Sequence, residues 1–195
     1  TVGIVVNPSE YVSDEGLPFI YGGDISEGHI SIESARRITA SDSLQQEKTR
    51  LQPGDLLTVR VGAPGVTAVV PESCAGGNCA SVMLIRRGNF DSKWLCFAMN
   101  SRMIRFQVEG VQYGAAQEQF NISHAINFWL AVPPQAEQHE ISKQLEEGIA
   151  LFDELHAKTT SAINLLKERR AALIAAAVTG QIDVRDLVDV PPEAA

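Results

Sequence analysis

Few groupings in this chain could carry bond-making chemistry. Its two Pro-Pro pairs stand in "VPPQ" and "VPPE". An amino-methyltransferase loop needs Asn, Asp or Ser before the prolines and an aromatic ring after them. Both pairs lack both groups, so methyl transfer is not expected. The "PE" at 71–72 and "DSK" at 91–93 supply two carboxylates and a lysine, a set that chance readily produces, and no nuclease centre is read from them. Cys74 and Cys79, with Cys96 and His124, are of the types that bind zinc, yet no second close pair accompanies them and free thiols are the expectation. The odd cysteine count of 3 suits a reducing cytoplasm better than a disulfide framework. "VGAPG" at 61–65 could cradle a phosphate through backbone amides, but no Lys-Ser or Lys-Thr follows and a tight hairpin is the better reading. His139 and His156 have no ligand partner one helical turn away. No catalytic residue, metal or cofactor is expected.

The elements that must position the remaining polar residues are of two kinds. Up to about residue 132, short apolar runs are punctuated by Gly, Pro, Asn and Asp. "DLLTVRVG" at 55–62 and "TAVVP" at 67–71 flank the turn signal "APG", which predicts a hairpin. "SVMLIRR" at 81–87 and "INFWLAV" at 126–132 read as further strands. "SKWLCFAMNSRMIRF" at 92–106 has helical spacing, with Trp94, Leu95, Ala98, Met99 and Met103 on one side. Strands mixed with a helix or two predict an α+β domain.

From Pro133 onward the pattern changes. Pro133 and Pro134 close the preceding run, and Glu137 and Glu140 favour the positive end of a helix dipole. No proline interrupts the chain from there to Val178. Apolar residues recur at alternating intervals of three and four, among them Leu145, Ile149, Phe152, Ile163, Leu166, Leu173 and Ala177. At about 1.5 Å per residue this predicts a rod of about 60 Å. A rod of that length cannot bury its stripe against one small domain, so a second long helix is the expected partner. His156, Thr159 and Arg170 fall near the seam and make it imperfect. The alanines from Ala171 to Ala177 favour helix and also permit close approach of another backbone.

Charge divides as the pattern does. Of the whole-chain net of -8, residues 1–132 hold 10 Lys and Arg against 13 Asp and Glu, and residues 133–195 hold 6 against 11. Cations in the first part cluster, as at Arg36 and Arg37 or Arg86 and Arg87. No apolar run reaches the roughly 20 residues of a spanning helix, and no membrane association is expected.

The run "VPPQAEQHEISKQLEEGIALFDELHAKTTSAINLLKERRAALIAAAVTGQIDVRD" resembles the spacer-helix segment of the specificity (DNA-recognition) subunits of type I restriction-modification systems. In that family a domain ends in a "PPxxEQ" element, here Pro133, Pro134, Glu137 and Gln138. A long helix ends near "LKERRxALIxxAVTGxIDVR", here residues 166–185. The blocks "GLPFIYGGDISEGHI", "LQPGDLLTVRVGAPG" and "VEGVQYGAAQEQFNIS" resemble the family's target recognition domain more loosely.

The resemblance implies a non-catalytic subunit that reads one half of a bipartite double-stranded DNA target in a restriction-modification complex. Methyltransferase (modification) subunits dock beside it, and a motor-nuclease (restriction) subunit can join them. Residues 1–132 are then the recognition domain, lacking its first block, and 133–195 the spacer or dimerisation helix with a short tail. The fold implied is α+β, with a long C-terminal helix pairing as an antiparallel coiled coil. A full-length subunit carries two such halves, so the chain is either a natural half-subunit or a fragment, and a homodimer through the long helix would restore both.

Duplex DNA advances about 34 Å per turn, so a rod of about 60 Å sets two readers nearly two turns apart. Arg and Lys suit guanine edges, Asn and Gln suit adenine, and other cations clamp phosphates. On that basis the DNA-binding candidates are Tyr21, His29, Arg60, Arg86, Arg102, Arg105, Gln112, Tyr113, Gln117 and Gln119. The alternative from another class is a coiled-coil scaffold whose head binds protein.

Overall fold

The computed structural model describes residues 1–112 and 120–183, apart from the Gln112 side chain. Two compact units are present, Thr1–Lys143 and Gln144–Ala195. Among the described residues no helix is long and apolar enough to cross a membrane.

The first unit is α+β. Its strands are β1 (Leu17–Ile20), β2 (Ile25–Ser26), β3 (His29–Ile30), β4 (Arg36–Ile38), β5 (Leu56–Thr58), β6 (Thr67–Val69), β7 (Asn78–Cys79) and β8 (Met83–Ile85). Its helices are α1 (Ala40–Gln45), α2 (Ser92–Asn100), α3 (Arg102–Gln112) and α4 (Ile122–Ala125), and α5 (Gln135–Val178) begins within it. One sheet has the order β4-β1-β7, with β1 antiparallel to β4 and parallel to β7. Another runs β6-β5-β8, antiparallel throughout. The strands β2 and β3 form a separate hairpin.

The sequence dictates the β5–β6 hairpin directly. Leu56, Leu57 and Thr58 are all buried, as befits a central strand covered on both faces. The Thr58 and Thr67 hydroxyls meet at 2.8 Å across the pair, which satisfies two polar groups in an otherwise apolar layer. Gly65 closes the turn at φ +89°, and a Cβ there would stand 2.9 Å from the Val108 side chain on α3. Glycine therefore serves both the left-handed backbone and the close approach of α3.

The apolar run from 92 to 106 forms two helices, not one. Ser101 is extended at φ −67°, ψ 155°, and breaks the run between α2 and α3. Asn100 explains the break: its Oδ1 accepts from Thr67 N–H at 3.0 Å and its Nδ2 donates to Thr67 O at 2.8 Å. The amide thus continues the hydrogen-bond ladder at the β6 edge, and the helix stops there. Trp94 and Met99 face the core as expected, whereas Met103, beyond the break, is exposed.

Residues 126–132 are not a strand, contrary to the periodicity. Gln107 on α3 holds them instead. Its Oε1 accepts from Trp129 N–H at 2.8 Å and its Nε2 donates to Trp129 O at 3.0 Å. With the backbone groups of Trp129 taken by a side chain, no neighbouring strand is needed.

The helix α5 is continuous over 44 residues. Its end is a glycine-terminated cap. Gly180 adopts φ +72°, its N–H reaches Ala177 O at 3.2 Å, and Gln181 N–H reaches Ala176 O at 2.8 Å. Replacing Asn100 by Ala should cost about 1–3 kcal/mol, because the Thr67 N–H loses its acceptor, while Thr67 O keeps the Gly28 N–H at 3.0 Å. Urea denaturation of the full chain, followed by Trp fluorescence, checks this; an unchanged midpoint would remove Asn100 from the account.

Candidate nucleic-acid interface

The sequence-predicted DNA-reading residues fall into separate settings. His29 stands exposed on β3, in a hairpin whose turn residue Gly28 donates to Thr67 O at 3.0 Å. Arg105 on α3 pairs with Glu27 of that same turn, so His29 and Arg105 are brought to one neighbourhood. Arg102 opens α3 and is exposed, beside an open hollow that it lines with Met103, Phe106, Gln107 and Trp129. The Phe106 and Trp129 rings stand largely in solvent.

Other candidates are engaged within the head. Tyr21 is half-buried. Its ring meets Phe19 edge-on at 5.0 Å and carries the Arg36 guanidinium 4.2 Å from its centre. Burial pushes its phenol up, against the pull of Arg36. Arg60 is 9% exposed, with Nε donating to Phe120 O at 3.2 Å and Nη2 bonded to Asn121 Oδ1. Arg86 bonds the buried Asp55 carboxylate at 2.6 Å and the Arg50 and Lys48 carbonyls at 2.7 and 2.9 Å. Asp55 also accepts from Arg87 N–H and Gln52 N–H, both at 3.0 Å, so this carboxylate organises the start of β5 and the end of β8. The Gln112 side chain, Tyr113, Gln117 and Gln119 lie outside the described residues.

Cys74, Cys79 and Cys96 are free and buried. Burial pushes the Cys74 and Cys96 thiols up to about 11 and Cys79 to about 12. His124 lies elsewhere, its Nδ1 accepting from Asn121 N–H at 3.3 Å at the start of α4. Among the described residues no three of His, Cys, Asp and Glu gather as metal ligands would.

A polar junction escaped the sequence reading. Asp91 caps α2, its Oδ1 accepting from Trp94 N–H at 2.8 Å. The same carboxylate receives the Ser142 hydroxyl at 2.9 Å and faces His139 Nδ1 at 3.3 Å. Gln138 completes the junction: its Oε1 accepts from Asp91 N–H at 2.9 Å and its Nε2 donates to Pro133 O at 2.8 Å. The sequence signal was present as "DSKW", a capping residue three positions before a buried aromatic, and as Gln138 and Ser142 four apart.

The unit Gln144–Ala195 presents a different surface. Leu145, Ile149, Phe152, Ile163, Leu166 and Leu173 along α5 are all exposed, and Ala177 is half-buried. Exposed apolar residues recur along this length, interrupted at His156, Thr159 and Arg170. Thr159, near its middle, turns its hydroxyl back to Leu155 O at 2.8 Å, which removes one polar group from the stripe.

The chain thus joins a mixed α+β head to a helix of 44 residues whose large apolar side chains are exposed. No family model matches the chain. Its sequence is similar to the type I restriction enzyme EcoBI specificity subunit of Escherichia coli, at 23% identity over 183 residues, 91% of this chain and 38% of that subunit. The EcoKI specificity subunit of Escherichia coli strain K12 is 22% identical over 178 residues, 88% of this chain and 38% of that subunit. The fold is that of the HsdS subunit from Thermoanaerobacter tengcongensis, with a TM-score of 0.64 at 18% identity, covering 90% of this chain and 45% of that one. A chain from a structure addressing complex assembly and conformational transition of the type I R-M system gives 0.61 at 17% identity, covering 98% and 49%. The resemblance to type I specificity subunits thus holds in sequence and in fold. The chain spans under half the length of these relatives.

Two outcomes follow from the charged groups. Arg86→Ala should destabilise the chain by on the order of 2 kcal/mol, less than the roughly 3–5 of a fully buried pair because Arg86 is 39% exposed; thermal denaturation reads it. For Asp91, burial raises the carboxyl, but hydrogen bonds from Trp94 N–H, Ser142, His139 and Lys93 N–H outweigh it and hold the group below its ordinary 3.8. A depressed folded value gives stability that is full above the unfolded value and is lost as pH falls through the folded one. The stability difference between the wild-type chain and Asp91→Asn should therefore shrink below about pH 4, and a difference independent of pH would contradict it.

Proposed function

We propose that this chain is a non-catalytic DNA-recognition component of a type I restriction-modification assembly, reading one half of a bipartite duplex target. The observation that carries the reading is the similarity to specificity subunits over about nine-tenths of the chain, at under half their length. The head, residues 1–132, reads DNA, and residues 133–195 form the spacer and dimerisation segment. Two copies pair through antiparallel α5 helices along Leu145, Ile149, Phe152, Ile163, Leu166, Leu173 and Ala177, and so restore two readers. Methyltransferase subunits dock on the assembly, and a motor-nuclease subunit joins where one is present.

Within the head, the proposed DNA-contacting residues are His29 and Arg102, both exposed, together with Gln112, Tyr113, Gln117 and Gln119. Arg105 sits beside them on its ion pair with Glu27. Tyr21 contributes from the end of β1. Arg60 and Arg86 support the reading surface from within, because their guanidinium groups hold backbone and carboxylate partners.

The chain alone should have twice its 21.1 kDa mass in solution. Replacing Ile149 and Phe152 by Glu should give a monomer whose near-UV dichroism is unchanged. Assembled with modification subunits, the wild-type chain should direct adenine or cytosine methylation to a two-part sequence. Its DNA affinity should fall steeply with salt, by about a thousandfold between 50 and 200 mM for six phosphate contacts. Salt-insensitive binding to a protein, with no DNA affinity in the assembled complex, would instead establish the protein-binding scaffold.

A further inference from the structure

The tip of the β2–β3 hairpin and the outer face of α3 bring two opposite charges together. Ser26 pairs with His29, which leaves Glu27 and Gly28 as a two-residue loop. Gly28 stands at φ +73°, the left-handed conformation that such a turn assigns to glycine. The hairpin is fixed from beneath. Ile25 and Ile30 lie in the core, and Gly28 N–H donates to Thr67 O at 3.0 Å. The helix α3 is fixed as well: Ile104 and Val108, one turn apart, are buried, and Arg105 between them is turned outward. Arg105 Nη2 donates to Glu27 Oε1 across 78 residues of sequence.

This pair is not a structural bridge of the interior. The Arg105 and Glu27 side chains stay 46% and 56% exposed, so both remain open to a ligand. An ion pair so placed contributes little to stability. A guanidinium carries five N–H donors in one plane, and an ionised carboxylate only accepts. Held side by side by two separate elements, they present a row of donors followed by acceptors.

That row is the complement of one base pair. In the major groove guanine offers N7 and O6 as acceptors, and its cytosine offers the N4 amino group as donor. An A·T pair instead sets the adenine N6 amino group against the guanidinium and thymine O4 against the carboxylate, like against like. A phosphate is disfavoured too, because its negative charge would stand beside that of Glu27, whereas a base edge is neutral.

We infer that Arg105 and Glu27 together read a single G·C base pair of the half-site from the major groove. Arg105 donates to the guanine and Glu27 accepts from its cytosine, and both are specificity-determining residues. The inference rests on the proposed function and adds to it the base pair and the part of Glu27.

The test uses the full chain assembled with its modification subunits. The duplexes carry the two-part target with each recognised base pair of a half-site replaced in turn by the other three. The variants are Arg105→Ala, Arg105→Lys and Glu27→Ala, all at exposed positions. The wild-type complex should show one G·C position where replacement lowers methylation by about 5- to 150-fold. Arg105→Ala and Glu27→Ala should each remove that preference at the same position and leave the other positions as they were. Arg105→Lys, which can still donate to guanine, should keep part of it. Three results overturn the inference: methylation falling by one factor on every duplex, as for a phosphate clamp or a merely structural role; relaxation at an A·T position; or the two alanine variants relaxing different positions. If the wild-type complex prefers no two-part sequence, the proposed function itself fails. If that preference stands and the variants leave it unchanged, the inference alone fails.

Discussion

Asp91 accepts hydrogen bonds at the beginnings of two helices. Toward α2 it satisfies an orphan amide of the first turn, and toward α5 it receives Ser142 and faces His139. Hydrogen bonds to a charged group contribute roughly 1.5–3 kcal/mol each, about twice a neutral pair. Asp91 is partly exposed, so water can replace some of these donors, and the bonds favour the arrangement with both helices in place without requiring it. The order of the head and the seating of the helix base are thereby coupled through one side chain.

The remainder of α5 poses the opposite problem. A free helix gains little from propensity alone, and its stability in proteins comes mostly from covering an apolar face. Leu145, Ile149, Phe152, Ile163, Leu166 and Leu173 stand in solvent. Fully covering a side chain of this size is worth about 1.5–3 kcal/mol, and these six are already partly covered at 42–71% exposure, so the stripe holds on the order of 5–9 kcal/mol per helix, comparable with the cost of association at about 4–15 kcal/mol. Such a face rewards a long partner that engages all of it and gives little to one that covers a few turns. His156, near the seam, lowers the return further.

What could be read from residues alone depended on whether neighbours in sequence were also partners in space. The β5–β6 hairpin was legible because Val59, Gly65 and Val66 bond to one another across a short turn. The extent of α5 was legible because proline stands before it and Gly180 ends it. The break at Ser101 was not, since its cause is Asn100 reaching Thr67, 33 residues away. The irregular course of 126–132 has the same origin, with Gln107 supplying from α3 the partners a strand would have needed. The internal partners of the arginines were not legible for a related reason. Side-chain type marks what a guanidinium can bind, but the partners of Arg60 and Arg86 lie 61 and 31 residues distant and are set by the fold.

Those internal partners reshape the electrostatics. Of the 10 cations in residues 1–132, Arg36, Arg60, Arg86 and Arg105 each engage another group of the head. Arg60 is held in the interior, and Arg105 has its charge matched by Glu27. The cationic surface of one head is thus smaller than its composition implies, and the whole chain is acidic at -8. Under the proposed function, one head of this kind would offer few phosphate contacts, and few contacts mean weak, rapidly reversed binding. Two heads held at a fixed separation change the outcome, because the second contact becomes intramolecular and occurs at high effective concentration. That gain vanishes when the separation does not match the sites. Under the proposed function, an acidic chain with a sparsely charged head therefore gains more from pairing than a strongly basic reader would.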